Sequence, residues 1–189
     1  ALELYLESVA YYPEFVAVLY RITNVYQQMN DYENAKIYAE KTLFYDNTHY
    51  KAMKTLGDLY YKLEDIESSL KFYNKSIVAN SNYYKAYYSL AKVLNERGNN
   101  AEAIRGLDKA ISINPKYDKA YILLGVIHSH NSNYEKAIYN FNKAIDINDN
   151  NYKLYGRLAE TYNKSEKYSK AKESAKESLK IKRNYASAF

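Results

Sequence analysis

Large apolar and small side chains recur along this chain of 189 residues with a period of 34. Segments that begin at Val16, Tyr50, Tyr84, Asp118 and Tyr152 align without insertion or deletion. The seventh position of every segment is Leu or Ile, at Ile22, Leu56, Leu90, Leu124 and Leu158. The eighth position is always small, at Thr23, Gly57, Ala91, Gly125 and Ala159. A fixed period of this length indicates an array of stacked repeats.

Within each segment the apolar positions follow two helical stripes. In the fourth segment the first stripe is Tyr121, Leu124, Gly125 and His128, and the second is Ala137, Phe141, Ala144 and Ile145. Spacings of three and four residues place the members of each stripe on one face of a helix. Turn-forming and helix-capping residue types lie between the stripes, as at Gly98-Asn99. The pattern therefore predicts two helices of about 12–14 residues in each segment.

The periodicity also predicts how the chain is divided. We expect a single array with five full repeats, at residues 16–49, 50–83, 84–117, 118–151 and 152–185. Counted backwards, the same positions make residues 1–15 the second helix of an earlier repeat, and residues 186–189 begin a further one. Neither end carries the polar cap that such arrays need, so we expect the chain to be part of a longer array.

Composition supports an all-α fold and excludes several kinds of site. The chain has 5 Gly and 2 Pro, too few for a turn-rich β architecture. It has no Cys, which excludes disulfides, thiolate metal sites and cysteine nucleophiles. No apolar run reaches the roughly 18 residues of a membrane helix, and the first residues lack the pattern of a secretion signal. The compartment therefore stays open, with the cytoplasm as the default expectation.

The fourth segment resembles the tetratricopeptide repeat family. It has Tyr121, Leu124-Gly125, Ala137 and Phe141 where the family has an aromatic residue, Leu-Gly, Ala and Phe, and Pro115 closes the preceding segment. The chain departs from the family pattern at His128 for Tyr, at Ser69 for Ala, and at Asn47, Ser81 and Asp149 for Pro. The resemblance implies an all-α, right-handed superhelical solenoid of antiparallel helix pairs. It also implies that the first helix of each pair lines a concave groove.

No residue pattern in the sequence predicts a catalytic centre, a metal site or a cofactor. His128 and His130 are two residues apart and point in different directions from a helix, so they cannot chelate one ion. His128 falls at a packing position and is expected to be a core histidine with satisfied hydrogen bonds. Residues 146–150 resemble the start of a calcium loop, but Arg157 stands where a carboxylate is required. We therefore expect a protein that is not an enzyme.

The resemblance assigns partner contacts to first-helix positions that are not used for packing, the second, fifth, ninth and twelfth. The second position holds lysine in four segments, at Lys51, Lys85, Lys119 and Lys153. The candidate contacts are Tyr20, Asn24, Lys51, Lys54, Lys85, Tyr88, Lys92, Lys119, Ile122, Val126, Lys153 and Arg157. Stacked repeats would align the four lysines into a ladder. A lysine-rich composition alone would also place lysines at helix starts, and this alternative remains open.

This surface favours a protein or peptide partner that carries acidic residues around an apolar anchor. Lysines would steer such a partner, in keeping with the net charge of +5, and buried anchors would supply most of the affinity. Ile122 and Val126 are expected to be exposed one helical turn apart. Such a pair favours coverage by a partner, a capping helix or a second copy, so self-association through the groove or the chain ends is an open alternative.

Two other functions remain open from the sequence. Lysines and tyrosines in one groove suit single-stranded nucleic acid, which is less favoured because most tyrosines fall at packing positions. The array would also suit the regulatory arm of a larger enzyme, since a fold does not specify a function. Some family members clamp the C-terminal carboxylate of a chaperone. That clamp is matched at Lys153 and Arg157, but Leu123 and Tyr88 stand where it requires Asn and Lys.

Overall fold

The structure, a computed structural model, describes the backbone of residues 1–186 and the side chains of residues 1–184. Residues 1–186 form eleven α-helices and no β-strand, which confirms the predicted all-α class. Ala188 and Phe189, which the sequence assigns to a further repeat, lie outside the described residues. In the described part of the chain, no helix is both long and apolar enough to cross a membrane.

After α1 (Leu2–Tyr11), the other ten helices follow in chain order as five pairs of a first and a second helix. The first helices of the pairs are 13 residues long and begin at 34-residue intervals. They are α2 (Val16–Gln28), α4 (Tyr50–Lys62), α6 (Tyr84–Glu96), α8 (Asp118–His130) and α10 (Tyr152–Lys164). The second helices are α3 (Tyr32–Tyr45), α5 (Ile66–Ala79), α7 (Asn100–Ile113), α9 (Tyr134–Ile147) and α11 (Tyr168–Ala186).

The turn inside each pair contains one residue with a positive φ angle. These residues are Asn30, Glu64, Gly98, Ser132 and Glu166, with φ between 59° and 80°. This backbone conformation is unstrained for glycine and costs other residues about 1–2 kcal/mol. In the first two pairs the residue that follows caps the second helix: the carboxylates of Asp31 and Asp65 accept the backbone N–H groups of Asn34 and Ser68, at 3.1 Å and 3.0 Å. The turn and the cap together fix where the second helix begins.

The chain divides into two compact units, of which the first, unit 1, spans Ala1–Val93. In unit 1, α3 packs against α2 and α4, and α4 packs against α5. The side chains of one core cluster are Ala35, Ala39, Leu56 and Leu59. An added Cβ at Gly57 would lie only 2.6 Å from Cδ1 of Tyr73. The small residue at the eighth position therefore lets the second helix place a ring directly against the first.

The second unit, unit 2, spans Leu94–Phe189, and its described helices follow the same packing rule. In unit 2, α8 packs against α7 and α9, and α10 packs against α9 and α11. One core cluster contains Ala137, Ile138, Phe141, Ala144, Leu154 and Leu158. Ile122 and Val126 pack against this cluster and are half-buried, so the expectation that they are exposed is wrong. The reason is that apolar side chains of α10 belong to the same cluster and cover this side of α8.

Candidate functional site

A recess with a volume of about 500 Å³ lies in unit 1, lined mainly by the first helices with one residue each from α3 and α5, and we call it the unit 1 recess. Its lining residues are Gln27, Asn30, Tyr32, Asp58, Leu59, Tyr61, Lys62, Tyr73, Tyr88, Ser89, Lys92 and Val93. Two of the candidate contacts, Tyr88 and Lys92, are among them. They stand one helical turn apart on α6, which places both side chains on the same side of that helix.

A partly buried hydrogen-bond network holds the one carboxylate among the described lining residues. Asp58 accepts a hydrogen bond from the ammonium group of Lys54 at 2.5 Å and another from the hydroxyl of Tyr73 at 2.9 Å. Tyr73 is 2% exposed. Burial and the neighbouring Asp58 charge raise the pKa of Tyr73 well above its usual range, so its hydroxyl stays a donor. The predicted contact Lys54 therefore serves to neutralise Asp58.

Aromatic and basic groups form the open part of the unit 1 recess. The ammonium nitrogen of Lys92 lies 4.6 Å from the ring centroid of Tyr61, which is a cation–π distance. Lys62 is the other lysine of the described lining, and Leu59 and Val93 are buried at its apolar base. Since Lys54 already neutralises Asp58, the lining as a whole favours an anionic ligand with an apolar part.

The remaining candidate contacts of unit 1 lie outside the recess lining. The hydroxyl of Tyr20 is 3.3 Å from that of Thr55, and the Tyr20 ring lies 4.8 Å from the His49 ring. Asn24 is half-buried. Lys51 and Lys85 are exposed, with their ammonium groups 5.8 Å and 6.0 Å from the rings of the preceding residues, Tyr50 and Tyr84. These tyrosines thus already have partners within unit 1.

Unit 2 places its candidate contacts differently. Lys119 and Lys153 are exposed, like their counterparts in unit 1. Val126 and Arg157 line a small cavity of about 30 Å³. Its other lining residues are Ser129, His130, Phe141, Glu160, Thr161 and Lys164, and Glu160 pairs with Lys164 at 2.8 Å. A cavity of this size has no room for a partner side chain, so the candidate contacts of unit 2 do not share an open recess comparable to that of unit 1.

Some of the recess residues were not identified from the sequence. Tyr61 stands at the twelfth position of its segment, so the spacing rule for groove positions contained a signal for it. Tyr73 stands at the twenty-fourth position, which the sequence assigns to helix packing. Its ring does pack against Gly57, while its hydroxyl reaches through to Asp58. A pattern of apolar positions does not indicate which group the hydroxyl of a buried tyrosine contacts.

The histidines and acidic residues form no metal site in the described part of the chain, where no group of three or more His, Asp or Glu could hold an ion. His128 is half-buried in unit 2, and its Nδ1 has no hydrogen-bond partner among the described residues. The expectation of a fully satisfied core histidine is therefore wrong. Burial lowers the pKa of His128, and the Lys136 charge lowers it further.

Several solved structures share this fold. MamA is 23% identical over 88% of this chain and 97% of that chain, with a TM-score of 0.78. YrrB, described as a TPR protein with an unusual peptide-binding site, is 19% identical over 98% of this chain and 96% of that chain, with a TM-score of 0.73. PilF of Pseudomonas aeruginosa is 18% identical over 88% and 76%, with a TM-score of 0.82. No curated protein sequence matches this chain.

Sequence profiles of the tetratricopeptide repeat cover most of the chain. They match residues 16–46, 50–83, 72–105, 118–151 and 152–185. Together with the paired helices and the structural neighbours, these matches confirm the predicted fold class, a solenoid of antiparallel helix pairs. This chain belongs to the tetratricopeptide repeat family.

Proposed function

We propose that this protein is an interaction scaffold that binds a segment of a partner protein in the unit 1 recess. The family and its structural neighbours support a protein-interaction role in general, and the family is typically non-catalytic. The finer assignment rests on one observation. A recess of about 500 Å³ brings Tyr88 and Lys92 together with Tyr61, Leu59 and Val93.

An apolar side chain of the partner supplies most of the binding energy in this proposal. The recess volume is sufficient for one large aromatic or aliphatic side chain, and its walls are tyrosine rings above an aliphatic base. Burying such a side chain contributes about 1.5–3 kcal/mol. Rigid aromatic walls lose little conformational entropy on binding, which favours tyrosine at recognition surfaces.

Acidic residues next to the anchor orient the partner segment. Lys62 and Lys92 lie at the recess, and the Asp58 charge is compensated by Lys54, so a carboxylate of the partner meets a net positive lining. Lys51 and Lys85 in unit 1, and Lys119 and Lys153 in unit 2, are exposed and act at longer range by accelerating encounter with an acidic partner. The peptide-binding site named for YrrB, a protein with the same fold, is consistent with this assignment.

Peptide affinity measurements test the proposal. Peptides with Phe or Leu flanked by Asp and Glu would be screened by fluorescence anisotropy, with sequence-scrambled and lysine-flanked peptides alongside. We expect Tyr88→Ala and Lys92→Glu each to weaken the best peptide about tenfold or more. Lys109→Glu makes the same charge change at an exposed residue of α7, outside the recess, and is the matched control.

If Lys92→Glu and Lys109→Glu weakened peptide binding equally, the effect would come from net charge alone, which would contradict a site in the recess.

Single-stranded nucleic acid is a less well supported ligand, because tyrosines such as Tyr50 and Tyr83 pack against each other at 4.8 Å instead of presenting free faces to bases. The same anisotropy assay with oligonucleotides distinguishes peptide binding from nucleic-acid binding. Nucleic-acid binding would weaken with salt by a log–log slope of about −0.7 per phosphate contact.

A further inference from the structure

A second recess, of about 490 Å³, lies in unit 2 where α7, α8 and α9 meet. Its lining includes Ile104 and Asp108 from α7, Leu124 and His128 from α8, and Tyr139 and Asn140 from α9. None of these residues is a candidate contact of the proposed peptide site. The recess is therefore distinct from the proposed peptide site, and the repeat allows it to be compared with the equivalent place in unit 1.

The counterpart of this recess in unit 1, 68 residues earlier, is filled by two rings. The Tyr60 ring stacks on the Phe72 ring with centroids 5.3 Å apart and an angle of 13° between the planes. The Tyr60 hydroxyl donates to Glu40 at 3.4 Å, and the Lys36 ammonium lies 5.0 Å from the ring centroid. The preceding repeat has the same arrangement, with Tyr26 stacked on Tyr38 at 5.6 Å. In unit 1 a stacked pair of rings therefore fills the space that corresponds to the recess of unit 2.

In unit 2 other side chains stand in place of both rings, while a carboxylate acceptor is present at the position of Glu40. His128 stands in the position of Tyr60, and Asn140 stands in the position of Phe72. The Asn140 amide folds back and donates to the backbone carbonyl of Lys136 at 2.8 Å, so it contributes no ring. Asp108 stands in the position of Glu40, and among the described residues it has neither a hydrogen bond nor an ion pair.

One unsatisfied buried atom and one exposed carboxylate without a partner in the described part of the chain lie at the same place. The Nδ1 atom of His128 is buried without a partner among the described residues. Partial desolvation raises the pKa of Asp108, and the nearby His128 offsets part of that rise. The aliphatic side chains of Ile104 and Leu124 and the ring of Tyr139 supply apolar contact area around these groups. The recess therefore lacks the ring pair that unit 1 has, and its Asp108 carboxylate has no donor among the residues that the structure describes.

We propose that the recess in unit 2 takes a tyrosine side chain of a partner polypeptide. The ring occupies the volume of unit 2 that corresponds to the one filled by Phe72 and Tyr60 in unit 1. Its hydroxyl donates to the Asp108 carboxylate as the Tyr60 hydroxyl donates to Glu40. A phenol fits better than a benzene ring, because only a phenol donates to this carboxylate once the ring has displaced its water. It fits better than an arginine, because the recess has no net negative charge to hold a cation. The charges of Asp108 and Glu135 are balanced by Lys136 and by Lys167, which pairs with Glu135.

Nuclear magnetic resonance titration of the 189-residue chain tests this site with small probes. N-acetyl-tyrosinamide and N-acetyl-phenylalaninamide would be added separately, while amide and imidazole signals are followed. We expect the tyrosine probe to shift the signals of His128, Asp108 and Tyr139, and to bind about tenfold more tightly than the phenylalanine probe. Asp108→Ala alters an exposed residue and is expected to remove that preference while leaving the fold intact.

Two double variants provide matched controls. His128→Tyr with Asn140→Phe rebuilds the ring pair of unit 1, so it is expected to abolish probe binding without lowering the melting temperature. Tyr60→His with Phe72→Asn opens the counterpart, and new shifts around Glu40 are expected. Equal binding of the two probes to the unmodified protein, or tyrosine shifts that persist at His128 after the recess is filled, would overturn the proposal. If either double variant fails to fold, a tyrosine preference that survives Asp108→Ala overturns it as well.

Discussion

Glycine at the eighth position of a repeat determines how closely its two helices approach. A Cβ added at Gly125 would lie 2.5 Å from Cδ1 of Phe141, closer than non-bonded carbon atoms pack. Gly156, which also lies inside a first helix, offers a contrast. A Cβ there meets only the Ser178 hydroxyl oxygen, at an ordinary contact distance of 3.8 Å.

We expect Gly125→Ala to lower the free energy of unfolding by about 1–3 kcal/mol through overpacking. Gly125→Leu and Ala137→Leu are expected to lower it at least as much. Gly156→Ala is the matched control, and its better helix propensity should raise the free energy of unfolding by up to about 1 kcal/mol. Urea denaturation monitored by circular dichroism measures all four. A gain from Gly125→Ala equal to that from Gly156→Ala would contradict the packing described.

His49 makes the stability of α4 depend on pH. Its Nδ1 accepts the backbone N–H of Ala52 at 3.1 Å, so a proton on Nδ1 would remove the cap. Burial lowers the pKa of His49 below its ordinary value of 6.5, which means that the unfolded chain takes up this proton more readily than the folded one. The contribution to stability is therefore complete above pH 6.5 and is lost as the pH falls through the lowered pKa.

Replacement of His49 by asparagine isolates this effect. Asparagine caps a helix without titrating, so His49→Asn is expected to match the unmodified protein near neutral pH and to lose less stability between about pH 7 and about pH 5. His128, whose pKa is also lowered, is present in both proteins and cancels in the comparison. Identical pH profiles of the urea midpoint would exclude the histidine cap as a titrating element.

At the scale of helices and turns, the sequence was sufficient to predict the architecture. Apolar positions repeat without insertion, and turn residues follow each stripe, so helix and turn preferences recur at equivalent positions of the repeats. The exact turn conformation was harder to predict. Glu64 and Glu166 have positive φ angles although glutamate does not favour them, because the neighbouring helices fix the path of the chain at this point.

The strain in these turns can be measured by exchanging residues between equivalent positions. Glu64→Gly should raise the free energy of unfolding by up to about 1 kcal/mol, because glycine adopts φ = 63° without steric cost. Gly98→Ala should lower it by a similar amount, since φ is 80° there and no atom lies within 4 Å of an added Cβ to cause a clash. If urea denaturation showed that both variants change the free energy of unfolding in the same direction, backbone strain at these turns would be contradicted.

At the scale of the whole molecule, the sequence predicted the family and the helices that carry the candidate contacts, but not which contacts share a recess. Tyr88 and Lys92 of α6 share one recess with Tyr61 of α4 in unit 1. Ile122 and Val126 occupy corresponding positions but are partly covered by the core cluster of unit 2. That difference depends on which side chains of neighbouring helices fill the space, and a one-dimensional pattern does not contain it.

The most direct test of the central claim is to map a bound peptide on the 189-residue chain by amide chemical shifts. The tightest acidic peptide with an aromatic or leucine anchor would be added to the labelled protein. A site in the unit 1 recess predicts the largest shifts at Tyr61, Tyr88 and Lys92, with smaller ones elsewhere in α4 and α6. Largest shifts in α8 and α10 would contradict it.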